Sequence, residues 1–139
     1  MTRVIDPLEA VITWLETALT SVSGRVAAKH RYGEGWTESQ TGVSVHLDGG
    51  APELYAKMAK PRLELRIYSN DQVNVVAVWK ELVTLSRANA RFRVTVTGSV
   101  ALVQNFLPES SLSLLYEETL KMDMGIIFFQ AMVMEEDAT

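Results

Sequence analysis

Leu8, Val11, Ile12, Leu15, Ala18 and Leu19 recur at three- and four-residue steps, with Glu9, Thr13, Glu16, Thr17 and Thr20 between them. That is the period of a helix with one apolar face. Asp6-Pro7 supplies an N-cap and a first-turn proline, Glu9 stands where it closes a capping box, and Gly24 supplies a stop. The pattern predicts a helix over about Pro7–Val22. Trp14 lies beside the stripe, in the core or as an interface anchor.

From Arg25 the period changes to alternation, which predicts strands. Arg25 to Tyr32 reads as a weak strand ending in Gly33-Glu34-Gly35, and Thr37 to Thr41 as loop. Gly42 to Asp48 is a stronger strand, with Val43, Val45 and Leu47 on one face and Ser44, His46 and Asp48 on the other. Asp48-Gly49-Gly50-Ala51-Pro52 reads as a firm break. Glu53 to Lys60 is ambiguous, with one helical turn as an option, and Pro61 ends it. Arg62 to Tyr68 alternates cleanly: Leu63, Leu65 and Ile67 face in, and Arg62, Glu64, Arg66 and Tyr68 face out.

Ser69-Asn70-Asp71 forms a capping cluster. Val75, Val76, Trp79, Leu82 and Val83 follow at helical spacing, so a second helix is expected from Asp71 to Arg87, ending near Asn89. Phe92, Val94 and Val96 alternate with Arg91, Arg93, Thr95 and Thr97, a further strand closed by Gly98-Ser99. Val100 to Phe106 reads as a strand or a short helix, and Leu107 to Ser111 as loop.

From Leu114 to Met134 only Gly125 punctuates the chain. The expectation is one long strand or two collinear ones, with a bulge or close approach at Gly125. Before the glycine one face is apolar; after it both are, which predicts half-exposure followed by cover on both sides. The order helix, strands, helix, strands defines an α+β fold, with two helices packed on one face of a mostly antiparallel sheet.

Composition narrows the class. At 139 residues the chain is expected to form a single domain able to bury about two-thirds of its unfolded surface. The absence of Cys removes disulfides, thiolate metal ligands and thiol nucleophiles together. A net charge of −4 argues against attachment to nucleic acid or acidic membranes by bulk charge. Glu135, Glu136 and Asp137 carry three of those four charges, so residues 135–139 read as a disordered acidic tail on a nearly neutral body. The longest apolar run, Ile126 to Met134, contains Gln130 and falls well short of a bilayer span. Asp6, Glu9 and Glu16 interrupt what would be the apolar stretch of a signal peptide.

Catalytic signatures fail on their own terms, so no catalytic residue, cofactor or metal is expected. Gly33-Glu34-Gly35 is a lone G-x-G with no helix start behind it, and Glu34 would repel a phosphate. His30 and His46 lack the neighbouring ligands of a metal set. Ser44 stands without the second glycine of a nucleophile elbow and reads as a solvent-facing strand residue. Glu117 and Glu118 are adjacent and point to opposite faces of a strand. Arg87, Arg91 and Arg93 cluster without an interleaved aromatic, which suits a solvated face or an inter-subunit ion pair better than phosphate. The remaining signal is apolar surface beyond what a sheet covered on one face can bury. Helix cover over one end of the sheet would account for it, and the first choice is that cover; the other reading is assembly against a neighbouring subunit, with Trp14, Trp36, Arg62, Glu64, Arg66, Arg91, Arg93, Phe128 and Gln130 as candidate interface residues.

The order of Asp6-Pro7-Leu8-Glu9-Ala10-Val11, Arg62-Leu63-Glu64-Leu65-Arg66-Ile67-Tyr68, the helix Asp71 to Arg87 and the closing Ile127-Phe128-Phe129-Gln130-Ala131-Met132-Val133-Met134 resembles the tail terminator (tail completion) proteins of long-tailed bacteriophages. The likeness covers most of the chain and rests on pattern, with no chemical motif. The Glu34 to Thr41 loop and the strongly apolar last strand depart from it. The resemblance implies helices against a curved sheet and a non-enzymatic virion protein at the head–tail junction, assembled in the host cytoplasm. It also implies hexameric rings that cap the tail tube, meet the tube protein and head completion proteins, and let DNA pass without specific binding, with no membrane role. A contractile-system terminator or another neck or tube-like component is the nearest alternative; a small enzyme or ligand-binding domain using His30, His46 or Glu117 is the alternative from another class.

Overall fold

The structure is a computed structural model, described here for residues 6–22, 26–27, 41–53, 58–88, 91–96, 99–118 and 122–136. The elements in chain order are α1 (Pro7–Ala18), a 3-10 turn (Thr20–Val22), β1 (Val26–Ala27), β2 (Gly42–Glu53), β3 (Met58–Ser69), α2 (Gln72–Ala88), β4 (Phe92–Val96), β5 (Ser99–Pro108), β6 (Ser113–Glu117) and β7 (Met122–Glu136). Two helices pack on one face of a curved sheet, the α+β arrangement expected from the pattern.

The sheet runs β1-β2-β3-β7-β5-β4, with β6 paired to β7 on the same side as β5. Every pairing is antiparallel except that of β1 with β2. The longest strand, β7, lies at the centre. β3 runs along one flank, and β5 followed by β6 along the other.

α1 begins where expected: the Leu8 N–H donates to Asp6 Oδ1 at 3.0 Å. It stops a turn early, however, at Ala18, and the Leu19 N–H closes back on Leu15 O at 2.8 Å before the 3-10 turn. Thr20, Ser21 and Val22 are weak helix formers, so the chain tightens before Gly24. The buried face is also rotated from the expected stripe, centring on Ala10, Val11, Trp14 and Leu15. α2 begins behind Asp71, whose Oδ1 accepts from the Val73 N–H at 2.9 Å, and buries Val75, Val78, Leu82 and Ser86.

Between them the helices and the near face of the sheet bury one core: Val43, Val45, Leu63, Leu65, Ile67, Val94, Ala101, Val103, Phe106, Ile127, Phe129, Ala131 and Val133 from the strands. Of the expected weak strand at 25–32 only Val26–Ala27 is described, and Gly33-Glu34-Gly35 lies outside the described residues.

Several expectations for the strands are corrected. The glycine-rich break at Asp48-Gly49-Gly50 is a β-bulge: β2 continues to Glu53, with the register shifting between Leu47 and Gly50. Two residues there, Asp48 and Gly49, stand where the partner strand offers only Arg62. Glu53–Lys60 contains no helical turn among its described residues, because β3 already runs from Met58, and Pro61 sits inside it opposite Gly50. A proline lacks a ladder donor, and a bulge is where a sheet tolerates that. Val100–Phe106 is strand, and β5 extends through Leu107 and Pro108 instead of ending in loop.

The correction in the last third of the chain carries most weight. Leu114 to Met134 is neither one strand nor two collinear ones; it folds back on itself. β6 pairs antiparallel with the first half of β7, from Ser113 opposite Ile126 to Glu117 opposite Met122. Gly125 holds regular register and marks a close approach, since a Cβ there would meet Val75 Cγ1 at 2.7 Å and Leu112 Cδ1 at 2.9 Å. Finally, the expected cover after Gly125 is reversed: on the far face Met122 and Met124 are buried with Tyr68, whereas Ile126, Phe128, Met132 and Met134 are half-buried and Gln130 is exposed. The strand also runs on through Glu135 and Glu136, opposite Ala101 and Val100, so the acidic residues begin inside the sheet.

Candidate interaction surface

Both helices lie on one side, so the far face of the sheet carries the side chains that alternate with the core: Ser44, His46, Arg62, Glu64, Arg66, Tyr68, Gln104 and the even-numbered residues of β7 from Met122 to Met134. Arg62 is its hub. The bulge in β2 brings Asp48 onto the Arg62 Nη1, and Arg62 Nε donates to Glu109 Oε2 at 2.7 Å. The guanidinium also lies 4.4 Å from the centroid of the Phe128 ring. Glu109 is held in place by its own backbone: its N–H donates to Phe128 O at 2.8 Å, and the Phe128 N–H donates to Ser110 Oγ at 3.0 Å.

A second cluster lies lower on the same face. Arg66 Nε donates to Glu64 Oε1 at 2.7 Å, and this bond raises the Arg66 guanidinium further above its ordinary value. Ser44 Oγ and His46 Nε2 are 2.6 Å apart, with His46 opposite Glu64 and Ser44 opposite Arg66. Burial lowers the His46 pKa from 6.5, nearby Arg66 lowers it further, and Glu64 opposes both. Ser44 is fully buried, which corrects its reading as solvent-facing; its hydroxyl lies within hydrogen-bonding distance of the imidazole. Toward the other end, Gln104 Nε2 reaches Met134 Sδ at 3.0 Å and Met132 Sδ at 3.2 Å.

Of the residues singled out in the sequence, the structure brings Arg62, Glu64, Arg66, Phe128 and Gln130 together on this face. Arg91 and Arg93 are exposed at the β4 edge, away from the cluster. Trp14 is core, 3% exposed, packed on Phe92 and Phe106 at centroid distances of 4.9 Å each, so its ring presents no surface to a partner. Trp36 and His30 lie outside the described residues. Of the Glu117-Glu118 pair, the first closes β6 and the second lies exposed in the following turn.

Asp48, Glu109 and Ser110 are the residues the sequence reading missed. Alternation places Asp48 on this face but at the end of a strand, and nothing in Pro108-Glu109-Ser110 distinguishes it from loop until β7 is beside it. The same holds for the β6 edge, where Leu114, Leu115 and Tyr116 are exposed at 43%, 49% and 59%. On the helix side an open groove of about 410 Å³ runs between α2 and Leu114, lined by Gln72, Val73, Val76, Ala77 and Lys80. Among the described residues no group of three His, Asp or Glu is placed to hold a metal, and no helix is long and apolar enough to cross a membrane. No protein-family model matches the chain, and no curated protein is similar to it.

Proposed function

We propose that the chain is a ring-forming, non-enzymatic virion subunit: a tail terminator that assembles as a hexamer, caps the tail tube, stops its growth and offers the surface on which the head completion protein docks. The observation that carries this reading is the face of the sheet opposite α1 and α2, whose central arginines are matched by carboxylates, Arg62 by Asp48 and Glu109 and Arg66 by Glu64. Counterion release makes unpaired cations grip a DNA backbone. A wall whose arginines are already paired, interspersed with methionine and glutamine, suits a passage along which DNA slides unheld. The exposed apolar β6 edge suits a subunit that meets neighbours.

The test is functional capping. Purified protein added to polymerising tail-tube subunits arrests their elongation, and a phage lacking it makes overlong tubes. Tubes of normal length without the protein, or no tubes at all, would exclude a terminator; the second outcome would indicate a tube subunit instead.

A further inference from the structure

β5 and β6 lie end to end along the same side of β7, but they end differently toward solvent. β4 pairs with the outer side of β5 from Phe92 to Val96, whereas among the described residues β6 has β7 as its only strand neighbour. Ser113, Leu114, Leu115 and Tyr116 are all exposed. Leu114 stands opposite Gly125, whose missing Cβ would meet α2, so Leu114 and Tyr116 lie on the helix side and Leu115 on the far side. Sheets ordinarily guard an edge of this kind with lysine, proline or a bulge. Ser113-Leu114-Leu115-Tyr116 has no lysine or proline, and its register with β7 is regular.

The groove between α2 and Leu114 runs over this same strand. Val73, Val76 and Ala77 line it, and Val73, 71% exposed, is the barest large apolar side chain among the described residues. Lys80 follows two turns along from Val73; it is exposed, and no carboxylate among the described residues pairs with it. Asp71, at the other end of the groove, already accepts from the Val73 N–H. From Gln72 to Lys80 the helix advances roughly 12 Å at 1.5 Å per residue. That length matches three alternate side chains of an extended strand, spaced roughly 6.7 Å apart.

We propose that β6 takes up a strand from a partner polypeptide: an extended segment with apolar side chains at two alternate positions, set against Val73, Val76 and Ala77, and a carboxylate at the next, set against Lys80. Main-chain hydrogen bonds to β6 hold the segment, and the groove reads its side chains. The incoming strand takes the place beside β6 that β4 takes beside β5, and its other face covers Leu115. A small apolar ligand would fill the groove and leave Leu115 and Tyr116 bare. The contact goes beyond the capping role proposed above and stands or falls without it.

The probe is an end-blocked, fluorescein-labelled heptapeptide, Thr-Val-Thr-Val-Thr-Glu-Thr, titrated against the full chain. Anisotropy rises to saturation, and the backbone amides of residues 113–117 exchange more slowly with solvent in the complex. Proline in place of the central valine removes a ladder donor and weakens binding roughly tenfold or more. Lysine in place of the glutamate weakens it roughly tenfold, and a Lys80→Glu chain with unchanged circular dichroism reverses that preference. No binding by about 1 mM peptide, binding indifferent to the proline, or unchanged exchange at residues 113–117 overturns the strand. A preference that Lys80→Glu leaves unreversed overturns the pairing with Lys80. A wild-type chain that dimerises, refuses the peptide, and becomes monomeric on Leu115→Asp assigns the edge to a second copy instead. Failure to arrest tube growth while the peptide still binds removes the terminator reading and leaves this contact standing.

Discussion

Phe106 stacks on Phe129 with ring centroids 4.2 Å apart and planes within 6°, and it does so because β5 carries one residue too many. Ala101 and Val103 point to the core; simple alternation would send Asn105 there next. Instead the register shifts between Gln104 and Leu107, and Asn105 takes up a positive φ of 53°. The extra residue turns Phe106 inward, where it meets Phe129 and the edge of Trp14.

Two substitutions test that arrangement. Asn105→Gly leaves stability within about 1 kcal/mol of wild type, because glycine adopts this backbone freely. Asn105→Val costs about 1–3 kcal/mol, since a β-branched side chain resists it, and Phe106→Ala costs about 3–5 kcal/mol through lost burial and the cavity left behind. Urea unfolding midpoints give the ordering. An Asn105→Val variant as stable as Asn105→Gly would contradict the bulge.

Gly125 is required by proximity, with φ ordinary. Its absent Cβ leaves room for Val75 on α2 and for Leu112 in the segment between β5 and β6. Gly125→Ala is expected to cost about 1–3 kcal/mol by overpacking. Adding Val75→Ala should cost less than its own cavity penalty, because the methyl now fills part of the space. A double-mutant cycle measures this coupling; strict additivity would place the helix farther from β7 than the structure does.

These two sites show what was legible in the sequence. Leu63, Leu65 and Ile67 against Arg62, Glu64 and Arg66 could be read directly, because alternation is a property of one strand. The caps at Asp6 and Asp71 could be read because they act within a turn. Asn105 and Asp48-Gly49 could not, since a bulge is defined only against a partner strand, and each changes which face the following residues occupy. The β6–β7 hairpin was missed because Glu118-Thr119-Leu120-Lys121 contains no glycine, proline or asparagine to announce it. For the candidate surface, alternation placed the arginines, but their carboxylate partners arrive from β2 and from the segment after β5, a relation visible only in three dimensions.

Arg62 and its two carboxylates form a connected polar group on the sheet with Phe128 beneath the guanidinium, yet the charged participants are roughly a third or more exposed. Solvent screening therefore limits their worth. Arg62→Gln is expected to cost less than about 1 kcal/mol at low salt, and the difference from wild type should shrink as salt rises from about 0.1 M to about 1 M. Arg62→Lys keeps the charge but loses the fork that addresses Asp48 and Glu109 together, so it falls between the two. A large, salt-independent loss would mean that Arg62 supports packing instead.

His46 supplies the pH dependence peculiar to this surface. Burial and Arg66 hold its pKa below the 6.5 of a free imidazole, against a smaller opposing pull from Glu64. The unfolded chain therefore binds the proton first as pH falls, and stability declines once pH drops below 6.5, levelling off only below the folded-state pKa. Above 6.5 the residue is neutral in both states and contributes no slope. Ser44 sharpens the effect, since its hydroxyl is within hydrogen-bonding distance of Nε2 at 2.6 Å and can donate only to a neutral ring. Urea midpoints measured from about pH 8 to about pH 5 should fall more steeply for wild type than for His46→Gln. His30 and the carboxylates are common to both proteins and cancel in the comparison. Parallel profiles, or a steeper fall in the variant, would mean that the imidazole carries its proton in the folded sheet and that the Ser44 contact is a different hydrogen bond.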